Sequence, residues 1–363
     1  MSRIEEYFFI ILRSAIWGTV PVLPRIPTND EWNEIARLSK EQTVIGIMMD
    51  AIAKLPEEQK PETKLRLQWI VMQKRIEVMN TKMNSIIKSI FCDLQRAGIR
   101  AILLKGQGVA QNYIQPLHRQ CGDIDIYIFE EHFHKAISYF ESIGCKLNND
   151  STSYQIETTY KGIPIELHKK SAAYYTKKLQ NKYEEISRGI IGKENAIAII
   201  DNTEIEILPY MADAFQLLSH MKRHIYSSGI ALRQICDWVY FVYHHQSKLD
   251  IELFVRNMKT LQLYETYKAI MAIAIDYLGL PKEFAVCEIT SRDKSLANEV
   301  LSLIMAYGNF GHYGEHDKTN TKWEYLKSYI WKIRNCIRFH RIAGNDAWNY
   351  PIWQLHSIRK FLP

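Results

Sequence analysis

The sequence predicts an α+β protein, with a small mixed β-sheet core flanked by N- and C-terminal helical regions. Three observations carry this expectation. Apolar residues recur at helical spacing before about residue 95 and again after Tyr210. Residues 123–128 read Asp-Ile-Asp-Ile-Tyr-Ile, the strict alternation of a half-buried strand. Two segments at 153–160 and 163–168 are joined by Lys161-Gly162, which reads as an antiparallel hairpin. A chain of 363 residues suggests about two domains, or one large domain with helical additions. The divisions expected are an N-terminal helical region over 1–95, an α/β core over 96–209 and a C-terminal helical domain over 210–363.

Taken in order, the first ninety-five residues read as helices, with Ile86, Ile87, Ile90, Phe91 and Leu94 giving the three- and four-residue spacing. Pro-rich pieces at 21–27 and 55–62 are turns. Gly98 stops a helix. Ile99 to Leu104 is a short strand that runs into Lys105-Gly106, and a short helix over 107–114 follows. The polar loop 115–122 leads into the strand at 123–128, and a helix spans 130–143. After the hairpin, a further strand pair is expected at 196–200 and 204–208. Helices then fill 211–243, with a break at Ser227-Ser228-Gly229, and 251–279, 293–306 and 322–342. The sheet is expected to carry its helices on one side.

Composition is ordinary for a globular protein, with 47% hydrophobic and 24% charged residues. The formal net charge of +6 suits a polyanionic ligand without demanding one. Six scattered cysteines form no Cys-x-x-Cys pair, which points to reduced thiols in a cytoplasmic protein rather than a disulfide framework or zinc site. The apolar run Tyr7 to Leu12 follows two acids and is interrupted by Arg13, so an amphipathic helix is expected rather than a signal peptide. No segment approaches the roughly 20 apolar residues of a membrane span.

The chemistry is expected at the acidic strand. Residues two apart share a strand face, so Asp123 and Asp125 point together while Ile124, Ile126 and Ile128 point inward. Paired carboxylates repel each other or share a proton unless a cation intervenes. Mg²⁺ takes carboxylates together with phosphate oxygens. In Ile163-Pro-Ile-Glu-Leu-His168 the same alternation puts Glu166 and His168 on one face. Should that strand lie near the first, Glu166 joins the aspartates, and three carboxylates can hold two metals. Alternating acids are also simply the wet face of an amphipathic strand. The setting favours a site: Lys105-Gly106 lies at a strand-to-helix junction, where backbone N–H groups and a glycine admit an anion. Arg119 lies in the loop before the strand, placed to clamp phosphate oxygens.

The order Leu-Leu-Lys105-Gly106, then Arg119, then Gly-Asp123-Ile-Asp125-Ile resembles the nucleotidyltransferase superfamily that includes DNA polymerase β. It looks closer still to poorly characterised bacterial nucleotidyltransferase-like families with Lys-Gly, Arg and Asp-x-Asp motifs, and to the abortive-infection and toxin group. A later Glu-Leu-His is matched by Glu166-Leu167-His168. A helical His followed by Arg-x-x-x-Asp is matched by His220, Arg233 and Asp237. The resemblance covers about 100–245. It departs at Gln107, where the superfamily has Ser or Gly after the glycine, and in the longer gap to Asp123. It implies that Arg233 and Asp237 line the cleft, and the alternative for that pair is an ion pair within one helix.

His168 suits a phosphate or attacking-group contact, or a satisfied histidine beside the sheet. His220 and His224 share a helix face at zinc-ligand spacing, but no third ligand is evident, so shaping the cleft floor is the expected role. The C-terminal stretch interleaves Lys327, Lys332, Arg334, Arg338 and Arg341 with Trp323, Tyr329, Trp331 and Trp348. That pattern suits nucleic acid or, more commonly, a solvated helix with its aromatics in the core. Walker A, G-x-G-x-x-G and G-x-S-x-G motifs are absent.

The expectation is transfer of a nucleoside monophosphate from an NTP to an acceptor hydroxyl on a small molecule, saccharide, peptide or RNA. Asp123, Asp125 and Glu166 would bind Mg²⁺, with Mn²⁺ as the alternative ion, and Lys105, Gly106 and Arg119 would hold the triphosphate. The alternatives are an RNA-modifying toxin-like enzyme and a catalytically silent scaffold of the same fold.

Overall fold

The computed structural model describes residues 1–147, 155–309 and 322–358. Helix α1 (Arg3–Trp17) starts at a reciprocal cap between Ser2 and Glu5 and ends at Gly18, whose φ of 67° lies in the left-handed region. Its apolar run is the inner face: Tyr7, Phe8, Phe9, Ile11 and Leu12 are buried. Helices α2 (Asn29–Glu41), α3 (Ile45–Ile52) and the 34-residue α4 (Thr63–Arg96) follow.

The sheet contains β1 (Ala101–Leu104), β2 (Ile124–Ile128), β3 (Gln155–Tyr160), β4 (Ile163–His168), β5 (Ala196–Ile200) and β6 (Thr203–Ile207), in the order β3-β4-β2-β1-β6-β5. β2 runs parallel to β4 and β1 parallel to β6, and the other pairs are antiparallel, so the sheet is mixed. The hairpins turn at Lys161-Gly162 and Asp201-Asn202, all at positive φ, the conformation that matches two-residue turns to strand twist. Residues 153 and 154 of the expected first hairpin strand lie outside the described residues.

Alternation sorts the strands' two faces. Ile124, Ile126 and Ile128 join Ile163, Ile165 and Leu167 in a core closed by α4 and by α6 (Glu130–Ser142). Ile102 and Leu104 point the other way, against Ile191 of α7 (Lys177–Ile191) and Ala212 of α8 (Tyr210–Ser227). The sheet therefore has helices on both faces, not one, because residues 177–191 form an amphipathic helix that the sequence reading did not assign. The residues expected as one helix over 107–114 make only the single turn α5 (Gly106–Ala110).

Beyond α8 come α9 (Leu232–His245), α10 (Ile251–Thr260), α11 (Tyr264–Asp276) and α12 (Ser291–Tyr307). The helix expected over 251–279 is broken where Gln262 takes φ 56°. α13 (Lys322–Arg338), α14 (His340–Ala343) and α15 (Asp346–Ile358) complete the described chain. The largest apolar core unites α1–α3 with α8–α12. Part of the C-terminal basic and aromatic stretch is engaged internally: Arg341 bonds Glu265 and Asp293, and Trp331 meets Tyr307 edge to face. Trp323 and Trp348 are exposed. All six cysteines are free. Among the described residues, no helix is long and apolar enough to cross a membrane.

Candidate active site

The central strands carry the site on the face turned towards α7 and α8. Antiparallel pairing sets Leu104 opposite Asp125, and parallel pairing sets Asp125 beside Glu166 and Tyr127 beside His168. In-register neighbours on adjacent strands put their side chains together. Asp125, Glu166 and His168 accordingly bring one ligand atom each to within 4.8 Å of one another. His168 Nε2 lies 2.7 Å from Asp125 Oδ1 and 3.2 Å from Glu166 Oε2.

Lys105 reaches the same oxygen, with Nζ 3.1 Å from Asp125 Oδ1. Its backbone sits at φ 45° and ψ −137°, a region that costs a non-glycine residue about 1–3 kcal/mol and persists only where surrounding structure enforces it. Gly106 follows at φ 41°. Its lack of a side chain answers that conformation rather than crowding, since the nearest atom a Cβ would meet is the Asp123 carbonyl oxygen at 3.7 Å. The helix after it is a single turn, so the positive charge here comes from Lys105 rather than from a helix end.

The two aspartates are held in opposite electrostatic states. Burial, and then the charge of Asp125, push the Asp123 carboxyl up to about 6. Burial acts in the same sense on Asp125, yet Lys105 and the His168 hydrogen bond outweigh it and hold that carboxyl well below the usual range. Asp123 lies just before β2, outside the close group of ligand atoms, and His168 stands in that group instead. The fields of Asp125, Lys105, Glu166 and Arg233 nonetheless all act on Asp123. A deprotonated, buried Asp125, an adjacent Glu166, an imidazole and a second aspartate whose ionisation is opposed form a donor set that fits a divalent cation.

Arg119, in the loop before β2, is buried. Its Nε and Nη2 each donate to one oxygen of Asp237 at 2.7 Å, and Nη1 contacts Cys121 Sγ at 2.8 Å. Tyr113 donates to the same Asp237 carboxylate at 2.6 Å. Asp237 thus turns to the loop arginine and not to Arg233, four residues earlier on its own helix. Arg233 donates through Nη1 to the Gln120 carbonyl at 2.6 Å, while its buried Nε has no partner among the described residues. The Arg119 guanidinium is thus engaged through all three of its nitrogens, a different geometry from the phosphate clamp expected of it.

Gln107 explains its own departure from the superfamily pattern. It is buried and donates to Asn80 Oδ1 at 2.8 Å. Asn80, on α4, donates in turn to the carbonyls of Leu117 at 2.7 Å and Arg119 at 2.8 Å. One amide therefore ties α5 and the 115–122 loop to α4. At the loop's other anchor, His118 bridges the carboxylates of Asp50 at 2.8 Å and Glu77 at 3.0 Å.

On α8 the rings of His220 and His224 lie 4.4 Å apart, and His224 Nδ1 is 2.6 Å from Ser228 Oγ. Burial pushes both histidines well below the usual imidazole range, and His224 acts on His220 in the same sense, as Lys105, Arg223 and Arg233 do on both. Among the described residues, no third metal ligand joins them. The sequence reading missed Arg223, which its place one turn from His220 marks for the same helix face. It also missed Asp213, buried in the first turn of α8, whose carboxyl is pushed up to about 7 by burial and then by Asp237.

Comparison with known proteins adds one finding. Residues 28–279 match a family described as uncharacterised nucleotidyltransferase, a stretch that contains the whole sheet and every residue of this site. No curated protein matches the chain.

Proposed function

The chain belongs to the uncharacterised nucleotidyltransferase family, and from that premise we propose that it moves a nucleoside monophosphate from an NTP to an acceptor hydroxyl at Asp123, Asp125 and Glu166. The observation that carries this is the in-register pairing of Asp125 with Glu166, with Lys105 beside them. Acidic and basic groups meet there on one rigid sheet, which suits the positioning and charge neutralisation that phosphoryl chemistry requires.

In this reading Asp123, Asp125 and Glu166 hold Mg²⁺ or a similar ion. The ion, when bound, neutralises triphosphate charge and makes the acceptor hydroxyl more acidic. Lys105 exchanges its contact with Asp125 for the triphosphate. Arg233, whose Nε has no partner among the described residues, and the buried His220, on which Lys105 and Arg233 both act, complete the anion-binding side. The acceptor oxygen attacks the α-phosphorus, the bond from that phosphorus to the bridging oxygen breaks, and pyrophosphate leaves. The hydroxyl proton passes to Glu166. Arg119 and Asp237 act indirectly, by fixing the loop that carries Gly122 and Asp123.

Calorimetry of the purified chain with ATP, GTP, CTP and UTP tests this reading. Binding of at least one NTP should require Mg²⁺ or Mn²⁺. Equal affinities for every nucleotide with and without EDTA would overturn the metal-dependent site and leave the silent-scaffold alternative.

A further inference from the structure

We propose that His168 is itself a metal ligand through Nε2, so that the site selects a first-row transition ion such as Mn²⁺ over Mg²⁺. This rests on the reading above that Asp125 and Glu166 hold a divalent ion.

The argument begins with separations. Two ligands at right angles, each about 2.1 Å from an octahedral ion, lie about 3.0 Å apart. Nε2 of His168 lies 2.7 Å from one carboxylate oxygen and 3.2 Å from the other, on either side of that value. The separations are set by strand register rather than by a loop, because Asp125 pairs with Glu166 and Tyr127 with His168 along the same parallel ladder. All three ligand atoms lie within 4.8 Å of one another, which lets them face one ion.

Charge points the same way. Asp125 Oδ1 is met by both His168 Nε2 and Lys105 Nζ, so positive and N–H groups already surround the oxygen that a cation would take. Within the close group Asp125 and Glu166 carry two negative charges and a neutral imidazole none, which a divalent ion balances, and Asp123 outside that group is a further ligand. On binding, the ion takes the Nε2 lone pair, any proton that Nε2 held between the carboxylates passes to solvent, the ring stays neutral with its N–H at Nδ1, and Lys105 is released from Asp125.

Ion preference follows from donor chemistry. Mg²⁺ is a hard ion that binds oxygen and keeps much of its water, so a nitrogen ligand gives it little. Imidazole suits first-row transition ions far better. A site of oxygen ligands alone would lack this discrimination. The competing role for His168 is a hydrogen-bond donor that merely braces the two carboxylates.

The full chain loaded with Mn²⁺ distinguishes these roles. Pulsed electron paramagnetic resonance should show nitrogen coupling from a directly bound imidazole, and incorporation of ¹⁵N-histidine should change that coupling without any substitution. Mn²⁺ alone should bind the wild type more tightly than Mg²⁺ alone. His168→Gln should weaken Mn²⁺ by about tenfold or more, the lower end of what disturbing a ligand set costs, and leave Mg²⁺ nearly unchanged. Mn²⁺ binding that Asp125→Asn abolishes, but that shows no nitrogen coupling and is unaffected by His168→Gln, would overturn the ligand role while leaving the metal site intact. Absence of any Asp125-dependent divalent binding would overturn both this inference and the metal-dependent reading beneath it.

Discussion

Arg119 and Asp237 form a two-point ion pair, with both contacts at 2.7 Å and both side chains about 95% shielded from solvent. The partners are 118 residues apart and join the loop before the acidic strand to helix α9. Breaking such a pair strands a buried charge. Asp237→Asn should lower unfolding stability by about 3–5 kcal/mol, read from denaturant melts. Arg119→Lys keeps the charge but loses the fork geometry and should also destabilise. Neutralising both partners should cost less than the sum of the single changes, and additive losses would show that the pair is not a coupled unit.

Lys105 and Arg119 should therefore respond differently to truncation. Lys105→Ala is expected to weaken NTP binding by about 1.5–3 kcal/mol with the fold retained, because it removes a charge-assisted contact from a partly open side chain. Arg119→Ala should lower the melting temperature first, with any binding loss tracking that instability. Calorimetry at a temperature well below both melting points separates the two. Unchanged affinity for Lys105→Ala would remove that lysine from the binding side.

Asn80 makes a third prediction. Its amide serves Gln107, Leu117 and Arg119 together. Asn80→Ala leaves two carbonyls and one side-chain amide short of partners, so a loss of about 1–3 kcal/mol is expected in chemical denaturation. Transfer activity should fall as well, since the loop that carries Asp123 loses its tie to α4. Full stability in the variant would mean that water replaces the amide at no cost.

Asp213 gives a pH dependence. Burial, and then Asp237, push its carboxyl up to about 7 in the fold against an ordinary value of 3.8. Below 3.8 both folded and unfolded chains carry the proton, so the group is neutral towards stability. As pH rises from 3.8 to 7 the unfolded chain releases its proton first, and folding stability falls across that window. Above 7 the penalty is constant. Asp213→Asn removes it, so the stability gain of the variant over wild type should grow between pH 4 and 7 and then level off. A gain independent of pH would show that Asp213 is not held protonated.

Much of the fold was legible because it is local. Alternation over 123–128 and 163–168 marked β2 and β4, and Lys161-Gly162 marked the hairpin. What local pattern could not supply was which strands become neighbours. The parallel pairing of β2 with β4, which brings Glu166 to Asp125, spans a helix and a hairpin. The same limit hid the Arg119–Asp237 pair and the Asn80 amide. Local pattern does not single out helix α7, whose apolar face is spread among lysines and glutamates, and it becomes intelligible only once it covers Ile102 and Leu104. Alternation puts His168 on the right face, but its place between the two carboxylates depends on register. Asp123 shows the converse: strand alternation grouped it with Asp125, whereas it precedes β2 and stands outside the close ligand group.

Transfer from the α-position of an NTP is the central claim, and labelling tests it most directly. The full chain should be incubated with metal, cell extract and each NTP labelled in turn at the α- or the γ-phosphate. The account predicts that α-label enters an acceptor, that γ-label leaves as pyrophosphate, and that Asp125→Asn abolishes both. Label entering acceptor from the γ-position, or α-label transferred equally well by the Asp125→Asn chain, would contradict it.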